Sequence, residues 1–523
     1  MLPAIWHRYI FLFGIIGLAA GMLFGTVPTS IPQIIIGANW FLEKDFVLKW
    51  HRLKSNKIFW VLLSIFLLHL LGMLYTSNIK LGLADLRNKA PLFVLPILFF
   101  STKSLSQKEL KLLFSFFYLS VVVSSIYCFL VYAGFTHKTI INVRQASVFM
   151  SHIRFSLFIA FAIIGLICTL YNEQKQSIKL LCIIGVVWLI LVMYKLELAT
   201  GFLCLMLVGT ILILKLVVQQ FNKWISVSII SGFLVLSIFL FLKIIGSLSM
   251  FDKVTNNPTN TMLYQTANHR FYLQDTVFQL AENGTLITIN ICDDELKKEW
   301  ELRSKKPYQT EDLKGNVIRY ALLRYMASKG LTKDSVGVKA LSDEDIKNVE
   351  NGFTNYKYTS HGGLAARWRE IVWEYIKYKR GENPSGHTLT MRLEFWKTAT
   401  YIITQQPVFG VGTGDIQDAF NSAYESTHSK LNKDWWLRCH NQYLAITVAF
   451  GIIGLLVFLF YLVYPAIQLK NQLHPLYWPF FFIVLLSFLT EDTLETQTGV
   501  TFFIFFQTLF LWLASYKEPR KIG

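Results

Sequence analysis

Charged side chains are scarce in this sequence: Asp, Glu, Lys and Arg make up 16% of 523 residues, where soluble domains carry roughly 25%. That shortage excludes an ordinary soluble fold, and 53% hydrophobic residues with a mean hydropathy of +0.43 point the same way. Acid is scarcer than base, 33 residues against 50, leaving a formal charge of +17. Such an excess suits a nucleic-acid binder, but many of these cations fall in short loops between apolar runs, where they orient membrane helices. Nucleic acid is set aside on that ground. Cysteine is sparse too. Four of the six (Cys128, Cys168, Cys182, Cys204) lie inside apolar runs and read as small core residues. Cys292 and Cys439 fall in a large polar segment, and with nothing to fix a disulfide geometry, two unpaired thiols are the favoured reading. Internal repeats and low-complexity tracts are lacking, which excludes solenoids and tethers.

What is present is a series of long apolar runs. Those of bilayer-crossing length, roughly 17–25 residues, fall near 8–26, 58–75, 112–134, 154–171, 179–197, 199–217, 224–246, 440–464, 476–490 and 499–516. Two shorter ones near 28–43 and 90–101 bring the count to about twelve. The expected fold class is an all-α polytopic membrane protein. Its start, His7-Arg8 and then Tyr9 to Gly25, resembles a signal peptide, but with so many spans following, a retained first helix is the reading. Gly17, Gly21 and Gly25 there form a small-residue stripe for close helix packing.

With the N-terminus cytoplasmic, the inner loops carry Lys44, Lys49, Arg52, Lys54 and Lys57, then Lys103, Lys108 and Lys111, then Lys175 and Lys179, then Lys470, then Lys517, Arg520 and Lys521. Both termini are therefore expected in the cytoplasm, and the acidic loop at Glu491, Asp492 and Glu495 outside. Two outer loops break the rule, one with Arg87 and Lys89 and the other with Lys138, Arg144 and Arg154. Cations placed against the topology rule read as a basic outer vestibule for an anion.

The division expected is a bundle of about nine spans over 1–246, an outer cap over 247–438 and about three further spans over 439–523. The cap reads as mostly helical. Ser342 to Asp345 forms a capping box before Ile346, Val317 to Met326 is an amphipathic run, and Asn383-Pro384-Ser385-Gly386 is a turn. Asp293-Asp294-Glu295 has no histidine or Asp-x-Asp companion, so an acidic helix start is favoured over a metal site. Asn283-Gly284-Thr285 matches a glycosylation sequon, a pattern too weak to use.

Two polar residues sit in awkward company. Arg392 has Leu389, Phe395 and Trp396 as its helical neighbours, so its guanidinium emerges from an apolar face. His440, followed by Asn441 and Gln442, stands at the mouth of a membrane helix, where an imidazole is costly without a polar partner. Each has a bland reading, a structural salt bridge for one and a helix-end histidine for the other. Between them runs Gly410-x-Gly412-x-Gly414. No βαβ unit surrounds it, so it is no dinucleotide loop; it is either a phosphate cradle of backbone N–H groups or a tight turn. Arginines clamp diphosphate and keep their charge, and a histidine can take a proton from an attacking hydroxyl. Together they describe group transfer from an anionic lipid-linked donor with no metal and no cofactor.

His440-Asn441, nine residues, then Gly451-x-x-Gly454 resembles the His-Asn-x9-Gly-x-x-Gly motif of bacterial O-antigen ligases, and Arg392-x3-Trp396 with Pro407-x-Phe409-Gly410-x-Gly412 resembles that family's preceding segment. The resemblance implies transfer of a glycan from an undecaprenyl-diphosphate carrier to lipid A–core, at the periplasmic face of the inner membrane. Arg392 would clamp the diphosphate or transition state, and His440 would activate the acceptor hydroxyl. Arg87, Arg438, Asn441, Gly412 and Gly414 are the expected substrate contacts. The family's further arginine is missing: the comparable stretch reads Glu197-Leu198-Ala199-Thr200-Gly201. Arg154, at an outer helix mouth, is the substitute candidate. O-antigen polymerases and protein O-oligosaccharyltransferases share the motif, and a transporter of an anionic lipid-linked glycan is the alternative from another class.

Overall fold

Backbone polar groups have no water to turn to inside a bilayer, and helices satisfy them within each segment. The computed structural model describes residues 3–138, 140, 143–247, 250–251, 253–254, 260–277, 279–313, 317–359 and 364–516. The expected inner cations Lys517, Arg520 and Lys521 therefore lie outside the described residues. By contacts the chain forms two units, Met1–Gln220 with Met391–Gly523, and Phe221–Thr390. Residues 391–438 thus share a unit with the C-terminal helices.

The first unit opens with α1 (Ala4–Gly21), α2 (Thr26–Leu42), α3 (Phe46–Ser55), α4 (Lys57–Gly72), α5 (Ile79–Lys89) and α6 (Pro91–Phe100). It continues with α7 (Gln107–Tyr132), α8 (His152–Asn172), α9 (Gln176–Lys195) and α10 (Ala199–Gln220). The α1–α2 pair packs so closely that a Cβ on Gly21 would lie 2.2 Å from the Pro28 carbonyl oxygen. Only part of the expected glycine stripe serves this contact. Gly17 makes ordinary contact with Pro32, and Gly25 has open space and forms the turn at φ +112°.

The second unit holds α11 (Lys223–Ser247), α12 (Asp293–Arg303), α13 (Ile318–Ser328), α14 (Ser335–Lys339), α15 (Asp343–Glu350) and α16 (Leu364–Lys379). The Ser342 side chain accepts from the Asp345 N–H and the Asp345 carboxylate accepts from the Ser342 N–H, closing the expected capping box on α15. Asn283 and Gly284 are the two left-handed residues of a hairpin joining β1 (Ala281–Glu282) to β2 (Thr285–Leu286), as an Asn-Gly pair favours. Asp293 accepts two bonds from Arg319 and one from Tyr308, and Glu295 is bonded to Thr266 and Ser335. Those carboxylates stitch the domain together. Cys292 and Cys439 are both free and buried.

The last helices are α17 (Thr388–Gln405), which is in the first unit from Met391 onward, α18 (Ile416–Ser426), α19 (Gln442–Gln468), α20 (Tyr477–Thr490) and α21 (Gln497–Ser515). Every residue of α21 from Gly499 to Trp512 is buried. Phe506 on that helix packs against Phe117, Phe161 and Phe480. Against lipid such packing gains little from water exclusion, so dispersion and ring geometry hold it, about 0.5–1.5 kcal/mol per aromatic pair.

The protein is an all-α polytopic membrane protein. Among the described residues eight helices are long and apolar enough to cross a bilayer, against the expected count of about twelve. The remainder of that expectation falls on α2, α6 and α20, at 17, 10 and 14 residues, and on the apolar part of α11 at 223–239.

Candidate active site

Helix α19 is broken at Gly451 (φ 62°, ψ −161°), and the break explains the glycine motif. It frees carbonyls that the loop before α18 then satisfies: the Val411 N–H donates to Val448 O and the Gly412 N–H to Ala449 O, each at 2.9 Å. In return Ile452 N–H donates to Pro407 O at 2.8 Å. A Cβ on Gly451 would lie 2.2 Å from the Val408 backbone, and one on Gly410 2.5 Å from Phe450 N. The Thr413 N–H goes to Gly72 O, and the Gly414 N–H to Thr76 Oγ1. The N–H groups of Gly412 and Gly414, expected as substrate contacts, are therefore already taken. The glycine loop is a plug in a broken helix, and the tight-turn reading is the one its bonding supports.

At its N-terminal end α19 is capped by Asn441, whose Oδ1 accepts from Leu444 N–H at 3.0 Å and whose Nδ2 donates to Leu489 O at 3.1 Å. One side chain thereby ties the mouth of α19 to the end of α20. His440 precedes it at φ 47°, a conformation that costs a non-glycine residue about 1–3 kcal/mol. The strained residue carries its ring against α17, 5.6 Å from the Phe395 ring. Trp396 Nε1 donates to Cys439 O at 3.0 Å. The apolar face from which Arg392 emerges is thus packed along the residues leading into α19.

The loop between α20 and α21 meets this edge. Arg392 Nη2 lies 3.0 Å from Glu491 Oε1. His440 Nδ1 lies 3.5 Å from Asp492 Oδ1 and 3.9 Å from Glu491 Oε2. It is buried and in hydrogen-bonding geometry with neither carboxylate. Arg438 Nη1 pairs with Glu495 Oε2 at 2.9 Å. Glu495 Oε2 also takes the fully buried Lys89 Nζ at 2.9 Å, and Lys89 reaches Asp85 Oδ1 at 2.6 Å. Gln442 fastens the same loop, accepting from Leu494 N–H at 2.7 Å.

These charges set one another. Asp492 beside the ring raises the His440 pKa above its ordinary 6.5; burial opposes this, Glu491 adds to it and Arg392 subtracts. Burial raises the Glu491 carboxyl, against the pull of His440, Arg392 and Arg154. Burial also disfavours charge on Glu495, but Lys89 and Arg438 outweigh it and hold that carboxyl below its usual range. His440, Glu491 and Asp492 present ligand atoms within 4.8 Å of one another, a set able to hold a cation. One such charge is already supplied by Arg392 on Glu491.

Arg154, one turn into α8, bears on Glu491 through its charge, and its buried Nε has no hydrogen-bond partner among the described residues. The stretch lacking the family arginine adjoins it: His152 Nε2 lies 3.2 Å from Glu197 O, and a Cβ on Gly201 would meet Ser156 O at 2.7 Å. Arg87 is exposed and makes no ion pair among the described residues; its neighbour Lys89 enters the network instead. The structure thus brings together Arg392, His440, Arg438, Asn441 and Arg154, and leaves Arg87 outside.

Residues 347–459 match the O-antigen ligase family. The match supports a place in the O-antigen ligase superfamily. No curated protein matches the chain. The matched stretch contains Arg392, the glycine plug, His440 and Gly451, and members of the family are glycosyltransferase-like enzymes. It omits Glu491, Asp492, Glu495, Lys89 and Asp85. Sequence reasoning passed over Glu491, Asp492 and Glu495 as topology markers and did not single out Asp85. The signal was there: an acidic loop and two basic loops, all expected on the same side of the membrane.

Proposed function

We propose that the protein is a metal-independent ligase, moving a glycan from an undecaprenyl-diphosphate carrier to lipid A–core at the periplasmic face of the bacterial inner membrane. The observation that carries this reading is His440 Nδ1 facing Asp492 at 3.5 Å, beside an Arg392 held on Glu491. With Nδ1 turned to the carboxylates, the other ring nitrogen is left to take a proton from an acceptor hydroxyl. The hydroxyl oxygen forms its bond to the anomeric carbon as the carbon–oxygen bond to the diphosphate breaks. The leaving diphosphate takes the electron pair, and Arg392 and Arg154 stabilise its charge. Asp492 stabilises the imidazolium. Arg392 exchanges Glu491 for phosphate as donor enters, which positions the donor and readies the base together.

Lipopolysaccharide gels and analysis of carrier-linked glycan, on wild type, a deletion strain and His440→Ala, test this. A ligase predicts bare lipid A–core with long chains stranded on the carrier in both mutants. Core bearing a single repeat would make it a polymerase, and a normal ladder with lost protein glycosylation would make the acceptor a protein. Full activity of His440→Ala would sink the catalytic assignment and favour a transporter.

A further inference from the structure

The helices that build this site also enclose a cleft at their other ends. It is lined by the start of α4 and the ends of α3, α6, α19 and α21, with a volume of about 440 Å³. The 27 residues of α19 separate it from His440 along the chain. Nothing in the reaction above uses it.

Its lining is divided. It includes the basic side chains Arg52, Lys57 and His51 with the polar Asn56 and Gln472, and the apolar Phe100, Leu469 and Trp512. Among the described residues no carboxylate lines it. Arg52 is not a loosely solvated loop cation. Its Nη1 donates to Ser101 O at 2.9 Å, at the end of α6, while its Nε is buried with no hydrogen-bond partner among the described residues. A buried donor without an acceptor among the described residues, beside the further cations of the lining, calls for an anion.

The surroundings say where that anion comes from. Helix α3 is short and basic, yet it exposes Phe46, Val47 and Trp50, and Trp50 meets the half-exposed Trp60 edge to face at 6.3 Å. Exposed aromatic and aliphatic side chains on a basic helix suit the plane of a bilayer surface. A free phosphate would have no use for the apolar lining residues. We propose that the cleft binds the head group of an anionic phospholipid of that leaflet, its phosphate on Arg52 and Lys57 and its glycerol end over Phe100 and Trp512.

The test is lipid retention by the purified full-length protein, read by native mass spectrometry, with phosphatidylglycerol, phosphatidylcholine and inorganic phosphate as probes. Wild type should prefer phosphatidylglycerol to phosphatidylcholine by about tenfold or more. Arg52→Gln with Lys57→Gln should abolish the preference, and so should Gln472→Glu, which adds a repelling charge at an exposed rim position without touching the basic pair. Lys54→Gln removes one charge from the same helix outside the lining and should change nothing. Equal retention of the two lipids overturns the proposal. So does an equal loss in Lys54→Gln, which would mean general surface attraction, or displacement of the lipid by phosphate at matching concentration, which would mean a free-anion site.

Discussion

The Asp492 carboxylate lies 3.5 Å from Nδ1 of His440 and raises the affinity of the imidazole for its proton. A base works only when neutral, so under the ligase reading the rate should climb with pH through a value above 6.5. Asp492→Asn removes the largest cause of the shift. Its pH profile should move to lower pH while its plateau falls on the order of a hundredfold, as the imidazolium loses its stabiliser. Unchanged profiles would mean that His440 does not titrate in the rate-limiting step.

Arg392→Lys keeps the charge and loses the planar fork that matches a diphosphate, so it should not rescue activity. A fall in kcat on the order of 10²–10³-fold is expected for both Arg392→Lys and Arg392→Ala. Part of the alanine defect will be Glu491 left buried and unpaired. Adding Glu491→Gln to Arg392→Ala should restore thermal stability and leave activity low. Recovery of both would make the pair purely structural.

Removing divalent cations with a chelator should leave the transfer rate unchanged in a purified donor–acceptor assay, because Arg392 already neutralises Glu491 in the His440–Glu491–Asp492 set, the one suited to a cation among the described residues. A loss restored by a single metal would reassign those three residues as ligands.

Gly451→Ala should destabilise the protein through the plugged break rather than the chemistry. The new Cβ would meet the Val408 carbonyl at 2.2 Å, at a backbone φ of +62°. A loss of about 2–4 kcal/mol is expected, combining strain with overpacking. It should appear as a lowered Tm with fold loosened around α19, whereas His440→Ala should melt close to wild type.

The helical fold and its membrane character were legible because apolar runs are long and nothing else explains them. Arg392 and His440 were legible because a polar group on an apolar face needs a partner. The partners themselves were not, since Glu491 and Asp492 are 99 and 52 residues away from Arg392 and His440 along the chain, and local periodicity carries no information about such pairs. The glycine loop was ambiguous for a similar reason. Whether Gly412 offers its N–H to phosphate or to Ala449 depends on a helix break at Gly451 that the apolar run around it conceals. The span count was less legible: the run near 90–101 counts toward the expected twelve or so, yet α6 there has ten residues, short of bilayer-crossing length.

Lys89 and Glu495 offer a test that does not depend on the acceptor. Lys89 is fully buried between Asp85 and Glu495, and Arg438 shares the same Glu495 oxygen. Burial works against the charge on Lys89, but its two carboxylates more than offset it and raise its pKa; the Glu495 carboxyl is held low. The depressed acid stabilises the fold at pH above the ordinary carboxyl value of 4.5, and that contribution fades as pH falls toward its folded value. The raised base stabilises it below 10.5, and that contribution fades as pH rises through the folded value. Lys89→Met should cost about 3–5 kcal/mol near neutrality by leaving two carboxylates short of a buried cation. The same variant should lose less on acidification than wild type does, because protonating Glu495 then relieves a defect. Melting curves from pH 4 to pH 8 on both proteins would decide it, and parallel curves would mean that Lys89 contributes packing rather than charge.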